Sequence, residues 1–346
     1  MLQNQQFSSI LLKWNKQQNT RTMLWKGIKD PYKIWLSEVI LQQTRVEQGE
    51  KYYRTLTENY PNVKDLAEAD EQIVYRFWQG LGYYNRCRNM LFTARFIQNE
   101  LNGEFPNTYE CILALKGVGD YTAAAIASFA FDLPYAVVDG NVVRVLSRVF
   151  GLDISFHCTA GKKSFQEFAQ SLLPHSKASL YNQAIMDLGA TVCTPKQPKC
   201  NQCPFEDHCQ AKFLQRIDDF PVKKQRLILK IRHMHFLVFE DKHHLYITKR
   251  TEKDIWHNLY TFFMLESDSE NVDLTPYYSI GKVEGEPQYA DQTLTHQKIK
   301  GYFHRIKLFN PSELNKLNLQ KVKKKDISAF AFPRILISFF QKNNYL

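Results

Sequence analysis

The sequence predicts an all-α N-terminal domain followed by a smaller α+β C-terminal domain. Apolar residues recur at helical spacing through the first two-thirds of the chain. The composition then changes at a basic stretch, residues 220–230, and the following runs at 235–239 and 245–248 are typical of β-strands. A chain of 346 residues is long enough for two such domains.

Individual elements follow from the same patterns. Helices are predicted at residues 34–48, 121–131, 142–150 and 181–192, with a last amphipathic helix at 328–340. Prolines at positions 31, 106 and 134 separate the helices of the first domain, since proline does not continue a helix. We predict a first domain of residues 1–222, a linker of residues 223–230 and a second domain of residues 231–346.

The net charge of +10 and the isoelectric point near 9.1 favour a polyanionic partner, most simply nucleic acid. A hydrophobic content of 44% is too high for a globally disordered chain. No apolar run reaches the ~18 residues that a bilayer-spanning helix needs, so no membrane association is expected. Residues 1–9 are polar and lack the apolar core of a secretion signal, which predicts a reducing cytoplasmic location.

Four cysteines near the middle of the chain have metal-ligand spacing. Cys193, Cys200, Cys203 and Cys209 form the pattern C-x6-C-x2-C-x5-C, and the other three cysteines are scattered. Zinc and an iron–sulfur cluster are both possible for such thiolates, and four unrelated buried thiols are the alternative. Zinc ribbons prefer two separated C-x2-C pairs. The spacing therefore favours one [4Fe–4S] cluster.

Two glycines precede one of the predicted helices. Gly117 and Gly119 permit a tight turn and a close backbone approach immediately before the helix at 121–131. The free N–H groups and positive dipole end of that helix suit a phosphate. An ordinary turn between two helices explains the glycines equally well.

These segments together resemble a known enzyme family. The glycine segment 117–123 is similar to the helix–hairpin–helix of the endonuclease-III-like DNA glycosylases, here expected at about 110–132. Residues 137–145 resemble their catalytic aspartate segment, and residues 193–209 resemble their iron–sulfur loop. Residues 35–46, 79–84 and 181–184 are similar to the MutY subfamily of adenine DNA glycosylases. The resemblance covers about residues 7–222 and continues more faintly into the second domain.

The resemblance implies a catalytic pair of carboxyl groups. Glu38 would protonate adenine and Asp139 would stabilise the sugar cation, with Tyr121 and Asn141 orienting them. From the residues alone, Glu38 lies among apolar neighbours on a helix, where burial would raise the pKa of its carboxyl group. Glu38 could also be a buried ion-pair partner. Asp139 could be a helix N-cap, which would hold the carboxylate ionised and is compatible with catalysis.

The resemblance also implies DNA contacts. Gln43 and Tyr83 would enter the duplex beside the flipped base. Trp25, Leu41 and Gln183 would contact adenine. Related enzymes that also cut the strand have a nucleophilic lysine where this chain has a tyrosine at position 121, and tyrosine forms no Schiff base. We therefore predict base removal without strand cleavage.

The C-terminal domain is similar to a Nudix fold from residue 249 onwards. The glutamate-rich metal-binding segment of Nudix hydrolases is absent, so pyrophosphate hydrolysis is not expected. The resemblance implies recognition of 8-oxoguanine by a loop that usually reads Phe-Ser-His. This chain has Leu294, Thr295 and His296 there, and a histidine in an ordinary hairpin loop is the alternative.

The function implied is base-excision repair by a monomeric, cytoplasmic, nucleoid-associated enzyme of bacterial type. It would remove adenine paired with 8-oxoguanine or guanine from double-stranded DNA. One alternative is a bifunctional endonuclease-III-type enzyme for oxidised pyrimidines, against which Tyr121 and the second domain argue. The other is a non-catalytic iron–sulfur DNA-binding protein, which would not need Glu38, Asp139 and Asn141 together.

Overall fold

A computed structural model describes residues 3–223, 229–309 and 311–346 of the chain. The chain divides into two compact units. One consists of Met1–Glu68 and Arg88–Gln225, and the other of Ala69–Cys87 and Arg226–Leu346. The sequence placed residues 69–87 in the helical domain, whereas here they pack with the C-terminal strands. Most of the predicted linker, residues 224–228, lies outside the described residues, and the domain limits stay a prediction.

Helices dominate the described part of the chain before residue 224. Within that part and the later described ranges, no helix has both the length and the apolar character needed to cross a membrane. The α-helices are α1 Asn4–Gln17, α2 Pro31–Leu41, α3 Val46–Asn59, α4 Val63–Glu68, α5 Glu71–Trp78, α6 Tyr84–Glu100, α7 Tyr109–Leu113, α8 Asp120–Phe131, α9 Gly140–Phe150, α10 Thr159–Leu172, α11 Ala178–Thr191, α12 Gln210–Phe213 and α13 Arg334–Lys342.

Helix α2 begins at a strong N-terminal signal. The Asp30 side chain accepts hydrogen bonds from the backbone N–H groups of Tyr32 and Lys33, and a proline occupies the first helical position. The prediction of one helix over 34–48 was wrong, because α2 ends at Leu41 and α3 begins at Val46. The intervening turn folds α3 back against α2. Gly49 comes so close to Leu41 that an added Cβ would lie 2.8 Å from Cδ2 of that leucine.

The core of the first unit lies where α1, α9, α10 and α11 meet. Phe7 of α1 is fully buried and stacks on Phe205 with ring centroids 4.4 Å apart. Leu146 of α9 and Leu188 of α11 belong to the same buried cluster. These contacts hold the first turn of α9, and the aspartate that precedes it, against α11.

The second unit is built around a sheet. Strands β1 and β6 pair in parallel at its centre, β2 and β5 flank them in antiparallel pairing, and β4 and β7 pair with β1 and β2. The strands are β1 Lys230–Glu240, β2 His244–Lys249, β3 Tyr260–Thr261, β4 Phe263–Ser267, β5 Gly281–Thr293, β6 Gln297–Leu308 and β7 Gln320–Lys323.

Helix α13 covers this sheet through aromatic contacts. Phe339 stacks on Phe303 of β6 with centroids 4.3 Å apart. The helix predicted at 328–340 starts later than expected, at Arg334, since Pro333 precedes it in an extended conformation. Proline disfavours helical geometry in the residue before it, so the preceding segment forms a separate 3-10 turn.

Candidate active site

One cavity of about 540 Å³ in the first unit gathers most of the predicted catalytic and base-contacting residues. Its volume lies in the range of small-molecule sites. The predicted residues that line it are Trp25, Glu38, Leu41, Tyr121, Asp139, Asn141 and Gln183. Glu38 and Asp139, which are far apart in the sequence, therefore face the same space.

Glu38 is a buried acid whose pKa lies near neutral pH. Its side chain projects from α2, and the residue is only 5% exposed. Burial is the main cause that raises its pKa to about 7; an interaction with Tyr121 lowers the pKa, and the charge of Asp139 adds a smaller upward effect. A large fraction of Glu38 therefore carries a proton at neutral pH, as a general acid requires.

Asp139 is fixed as the N-cap of α9. Its Oδ1 accepts hydrogen bonds from the backbone N–H groups of Asn141 and Val142, both at 2.8 Å, and its Oδ2 accepts one from Asn141 Nδ2 at 2.6 Å. Burial nevertheless raises the pKa of Asp139 above its ordinary value, although these hydrogen bonds lower it. Hydrogen bonds from capping alone would lower the pKa of Asp139. The pKa is raised instead, because burial has the larger effect.

Asn141 owes its orientation to an arginine that the sequence analysis missed. Arg144 is buried in α9, and its Nη2 donates to Asn141 Oδ1 at 2.8 Å and to the Gly189 carbonyl at 2.6 Å. Its Nε donates to the Cys193 carbonyl at 2.6 Å. Since arginine only donates, the Asn141 oxygen must face it, which turns Nδ2 towards Asp139. An arginine between two buried valines, Val143 and Val145, was the available signal.

Close packing of α9 on α11 depends on Gly189. A Cβ at this position would lie 2.6 Å from Cβ of Asn141, so a larger residue would displace the asparagine. No local pattern singles out this glycine, because the contact is made between helices that are distant in the chain.

Tyr121 lies in the first turn of α8, lines the same cavity as Glu38, and lowers the pKa of that acid by interacting with its carboxylate. The preceding turn requires glycine at position 117, where φ is +82° and a Cβ would lie 2.7 Å from Cβ of Asn89. Gly119 is the N-cap, and a Cβ there would meet open space. The turn thus leaves the start of α8 accessible, and phosphate binding at Gly117 and Gly119 stays a prediction.

The remaining cavity walls come from α2, α11 and the segment before α2. Trp25 is buried and packs edge-on against Tyr53, with centroids 5.2 Å apart. Gln183 donates from Nε2 to Asp187 Oδ1 at 2.9 Å, a contact that the sequence analysis also missed. Leu41 supplies an apolar wall at the end of α2. Their contact with adenine stays a prediction.

The two residues predicted to enter the duplex, Gln43 and Tyr83, have unusual backbone geometry. Gln43 has φ of 57° and Tyr83 has φ of 49°, in the left-handed region that residues other than glycine rarely occupy. Such conformations concentrate at functional sites. Tyr83 is also 46% exposed, as a residue that enters DNA must be. Neither side chain lines the cavity that contains Glu38.

The second unit joins two predicted DNA contacts. The hydroxyl group of Tyr83 lies 2.7 Å from Thr295 Oγ1, at hydrogen-bonding distance. Thr295 and His296 belong to the short loop between β5 and β6 and are exposed. The His296 carbonyl accepts a hydrogen bond from the Lys230 N–H at 3.2 Å. The imidazole ring takes no part in this backbone contact.

The four predicted metal ligands line one small cavity in the first unit. Arg148 borders it and donates from Nη1 to Cys193 Sγ at 3.5 Å, while its carbonyl accepts from Cys209 Sγ at 3.3 Å. Across the described ranges, no group of three or more His, Cys, Asp or Glu residues is arranged to hold a single metal ion. A [4Fe–4S] cluster places one thiolate on each of four irons, so its sulfurs stand farther apart. Four thiols around one cavity are a donor set that suits such a cluster.

Comparison with known proteins agrees with this geometry. Residues 36–174 match the HhH-GPD superfamily of base excision DNA repair proteins, and residues 234–342 match the NUDIX domain. An adenine DNA glycosylase of Buchnera aphidicola from Schizaphis graminum is 31% identical over 88% of this chain and 84% of its own length. The chain belongs to the adenine DNA glycosylase family. A mouse member is 42% identical over 59% of this chain and 41% of its own length.

Solved structures support the fold of this family member. A thermostable thymine-DNA glycosylase matches with a TM-score of 0.55 and 31% identity, over 60% of this chain and 95% of its own. An endonuclease III in a non-covalent DNA complex matches with a TM-score of 0.53 and 23% identity, over 62% and 100% of the two chains, and indicates the fold alone. The prediction of a helix–hairpin–helix glycosylase domain and a Nudix-like domain is confirmed.

Proposed function

We propose that this chain removes adenine from double-stranded DNA by hydrolysis of the N-glycosidic bond, with 8-oxoguanine as the preferred base opposite. The observation that carries the proposal is the pairing of a protonatable Glu38 with Asp139 in one cavity. A pair of carboxyl groups, one that donates a proton and one that carries negative charge, is typical of glycosyl transfer. The net charge of +10 suits a DNA partner.

The first step is proton transfer to the leaving base. Adenine leaves the duplex and enters the cavity, because its glycosidic bond is inaccessible inside the helix. Glu38 then donates its proton to the imidazole part of the base and turns adenine into a better leaving group. Tyr121, which lines the same cavity, orients the acid.

The second step concerns the sugar. As the bond to adenine lengthens, positive charge develops on the deoxyribose, and the Asp139 carboxylate stabilises this charge or captures it covalently. Water completes the hydrolysis. Tyr121 cannot form a Schiff base, so the strand remains intact after the base is released.

The test is a single-turnover assay on duplexes with adenine opposite 8-oxoguanine, guanine, cytosine or thymine. Each reaction is resolved with and without alkali, which cuts the strand at a site that has lost its base. Release of adenine with alkali-dependent cutting, fastest opposite 8-oxoguanine, is expected. Cutting without alkali, or no base release, would contradict the proposal.

We further propose that Cys193, Cys200, Cys203 and Cys209 hold one [4Fe–4S] cluster. The cluster would act as a structural crosslink of the loop at 193–209. Arg144 bonds the Cys193 carbonyl and Asn141 together, so order in this loop supports the orientation of Asp139. Arg148, Lys199 and Lys212 border the cysteine cavity and would offset the negative charge of the thiolates.

Cys203→Ser should lower the iron content of the purified protein and its visible iron–sulfur absorbance by more than half, because one of four ligands is lost. Cys111→Ser is the matched control, since Cys111 is exposed and outside the cysteine cavity. Iron is measured by a colorimetric assay on folded protein. Equal iron in both variants would exclude this ligand assignment.

Thr295→Val should lower the preference for 8-oxoguanine over guanine by up to about tenfold, since a bidentate contact with a base is worth about 1–3 kcal/mol of discrimination and one hydroxyl group supplies the lower end of that range. The same change removes the contact with the Tyr83 hydroxyl. Thr293→Val is the control, as Thr293 is exposed on the adjoining strand β5. The ratio of single-turnover rates opposite the two bases is the measurement, and an unchanged ratio would remove Thr295 from base recognition.

His296 is proposed as a second contact of the same loop with the opposite base. The protein is also proposed to act as a monomer on mismatched duplex DNA in the cytoplasm. The basic composition supports the DNA partner. Sedimentation of the protein with and without a mismatched duplex tests the monomeric state.

A further inference from the structure

Asp187 is a fully buried carboxylate on α11, one helical turn beyond Gln183, which lines the cavity. Its Oδ1 accepts hydrogen bonds from Arg21 Nη1 and Gln183 Nε2, both at 2.9 Å. Its Oδ2 accepts from Lys26 Nζ and Asn19 Nδ2, both at 2.8 Å. A buried charge is tolerated only when it is paired and hydrogen-bonded, so the four donors and Asp187 stabilise one another.

This carboxylate decides which end of the Gln183 amide faces it. A carboxylate accepts hydrogen bonds and does not donate them, so the amide must turn its Nε2 towards Asp187. The Gln183 oxygen is left as the free acceptor of that side chain, and among the described residues it receives no hydrogen bond. Gln183 lines the same cavity as Glu38.

An acceptor at this point distinguishes two kinds of purine. Adenine has a donating amino group at C6, whereas guanine and hypoxanthine have an accepting oxygen there. We propose that Asp187 is the positioning residue that holds Gln183 as an acceptor, and that this orientation selects adenine over 6-oxopurines. This inference rests on the proposed adenine excision and adds the device that sets its base specificity.

The Asp187 carboxylate also anchors the wall of the cavity that contains Trp25. Arg21 and Lys26 flank Trp25 in the segment before α2, and all three residues line the cavity. Lys26 Nζ also donates to the Arg21 carbonyl at 2.7 Å, which closes the segment on itself. Asp187 therefore ties the Trp25 wall to the Gln183 wall, and its loss affects both.

The experiment compares excision of adenine and hypoxanthine placed opposite the same base, under single-turnover conditions with the full chain. In Asp187→Asn the rate ratio of adenine to hypoxanthine should fall about tenfold or more, because the Gln183 amide can reverse. Gln183→Leu should lower the ratio similarly, and the double variant should lower it no further. Asn19→Ala is the matched control, since it removes a donor from Oδ2 and leaves the Gln183 bond intact.

The outcomes separate this inference from the proposed function. Wild-type protein that releases no adenine would contradict the proposed function itself. An active wild type with an unchanged ratio in Asp187→Asn, including an equal loss on both bases, would overturn the positioning role. Where Asp187→Asn does not fold, Gln183→Leu tests the inference instead: a fall in the ratio supports an acceptor at Gln183, and an unchanged ratio overturns the inference.

Discussion

Glu38→Gln is expected to bind a mismatched duplex with unchanged affinity and to release adenine at least about 10²-fold more slowly, in line with the usual contribution of a general acid. The glutamine keeps the shape of the side chain and can still hydrogen-bond to Tyr121. It has no proton that it can transfer to the base. Single-turnover release of adenine and a separate binding measurement on the same duplex give the two results.

The control for this variant is Glu47→Gln, which makes the same change at an exposed position on α3. It should leave both the rate and the affinity unchanged. Release by Glu38→Gln at the wild-type rate would show that another group supplies the proton.

The pH dependence of adenine release provides a second test of Glu38 as the general acid. Because the pKa of Glu38 is raised to about 7, the wild-type rate should fall about tenfold for each pH unit above that value. The residual rate of Glu38→Gln should not show this fall. A wild-type rate that is constant from pH 6 to about pH 9 would be incompatible with a protonated Glu38.

The raised pKa also has a consequence for stability. Between the ordinary value of 4.5 and about 7, the folded chain binds the Glu38 proton more tightly than the unfolded chain does. The free energy of unfolding therefore falls as pH rises through this window. Above it, Glu38→Gln should be more stable than the wild type by up to about 3 kcal/mol, measured by urea unfolding.

Asp139→Asn is expected to lower the rate of adenine release by about 10²–10³-fold, the usual cost of losing one electrostatic contact with a transition state. Asparagine is a good N-cap, so α9 should still form. It carries no charge to set against the developing sugar cation. Circular dichroism checks the fold, and single-turnover kinetics measure the rate.

Asp30→Asn is the matched control, because Asp30 is the N-cap of α2 and lies outside the lining of the cavity. The same substitution should leave adenine release close to the wild-type rate. An equal loss in both variants would mean that capping, and not the charge of Asp139, explains the effect.

Local patterns in the sequence predicted much of this site. The two glycines before α8 predicted a turn, and position 117 does have positive φ. Asp139 had the sequence pattern of an N-cap and forms one. Glu38 lay among apolar residues, and its pKa is raised by burial as expected. Each of these features depends on neighbours within a few residues, which is why periodicity and spacing could reveal them.

Other features depend on contacts between distant segments. The break at residues 42–45 was missed, since it is set by packing of α3 on α2. Arg144 and Asp187 were missed as well, because most of their partners lie in distant parts of the chain. The pairing of Tyr83 with Thr295 follows from the grouping of residues 69–87 with the C-terminal strands.

Local patterns were enough to predict the chemical groups of this protein: a buried acid, a capping aspartate, four clustered thiols and an exposed hairpin loop. The placement of Glu38 and Asp139 in one cavity, and the contact of Asp187 with Gln183, came from the fold. The reason is that desolvation, charge interaction and hydrogen bonding depend on distances in space. Local sequence patterns carry no information about distances between remote segments.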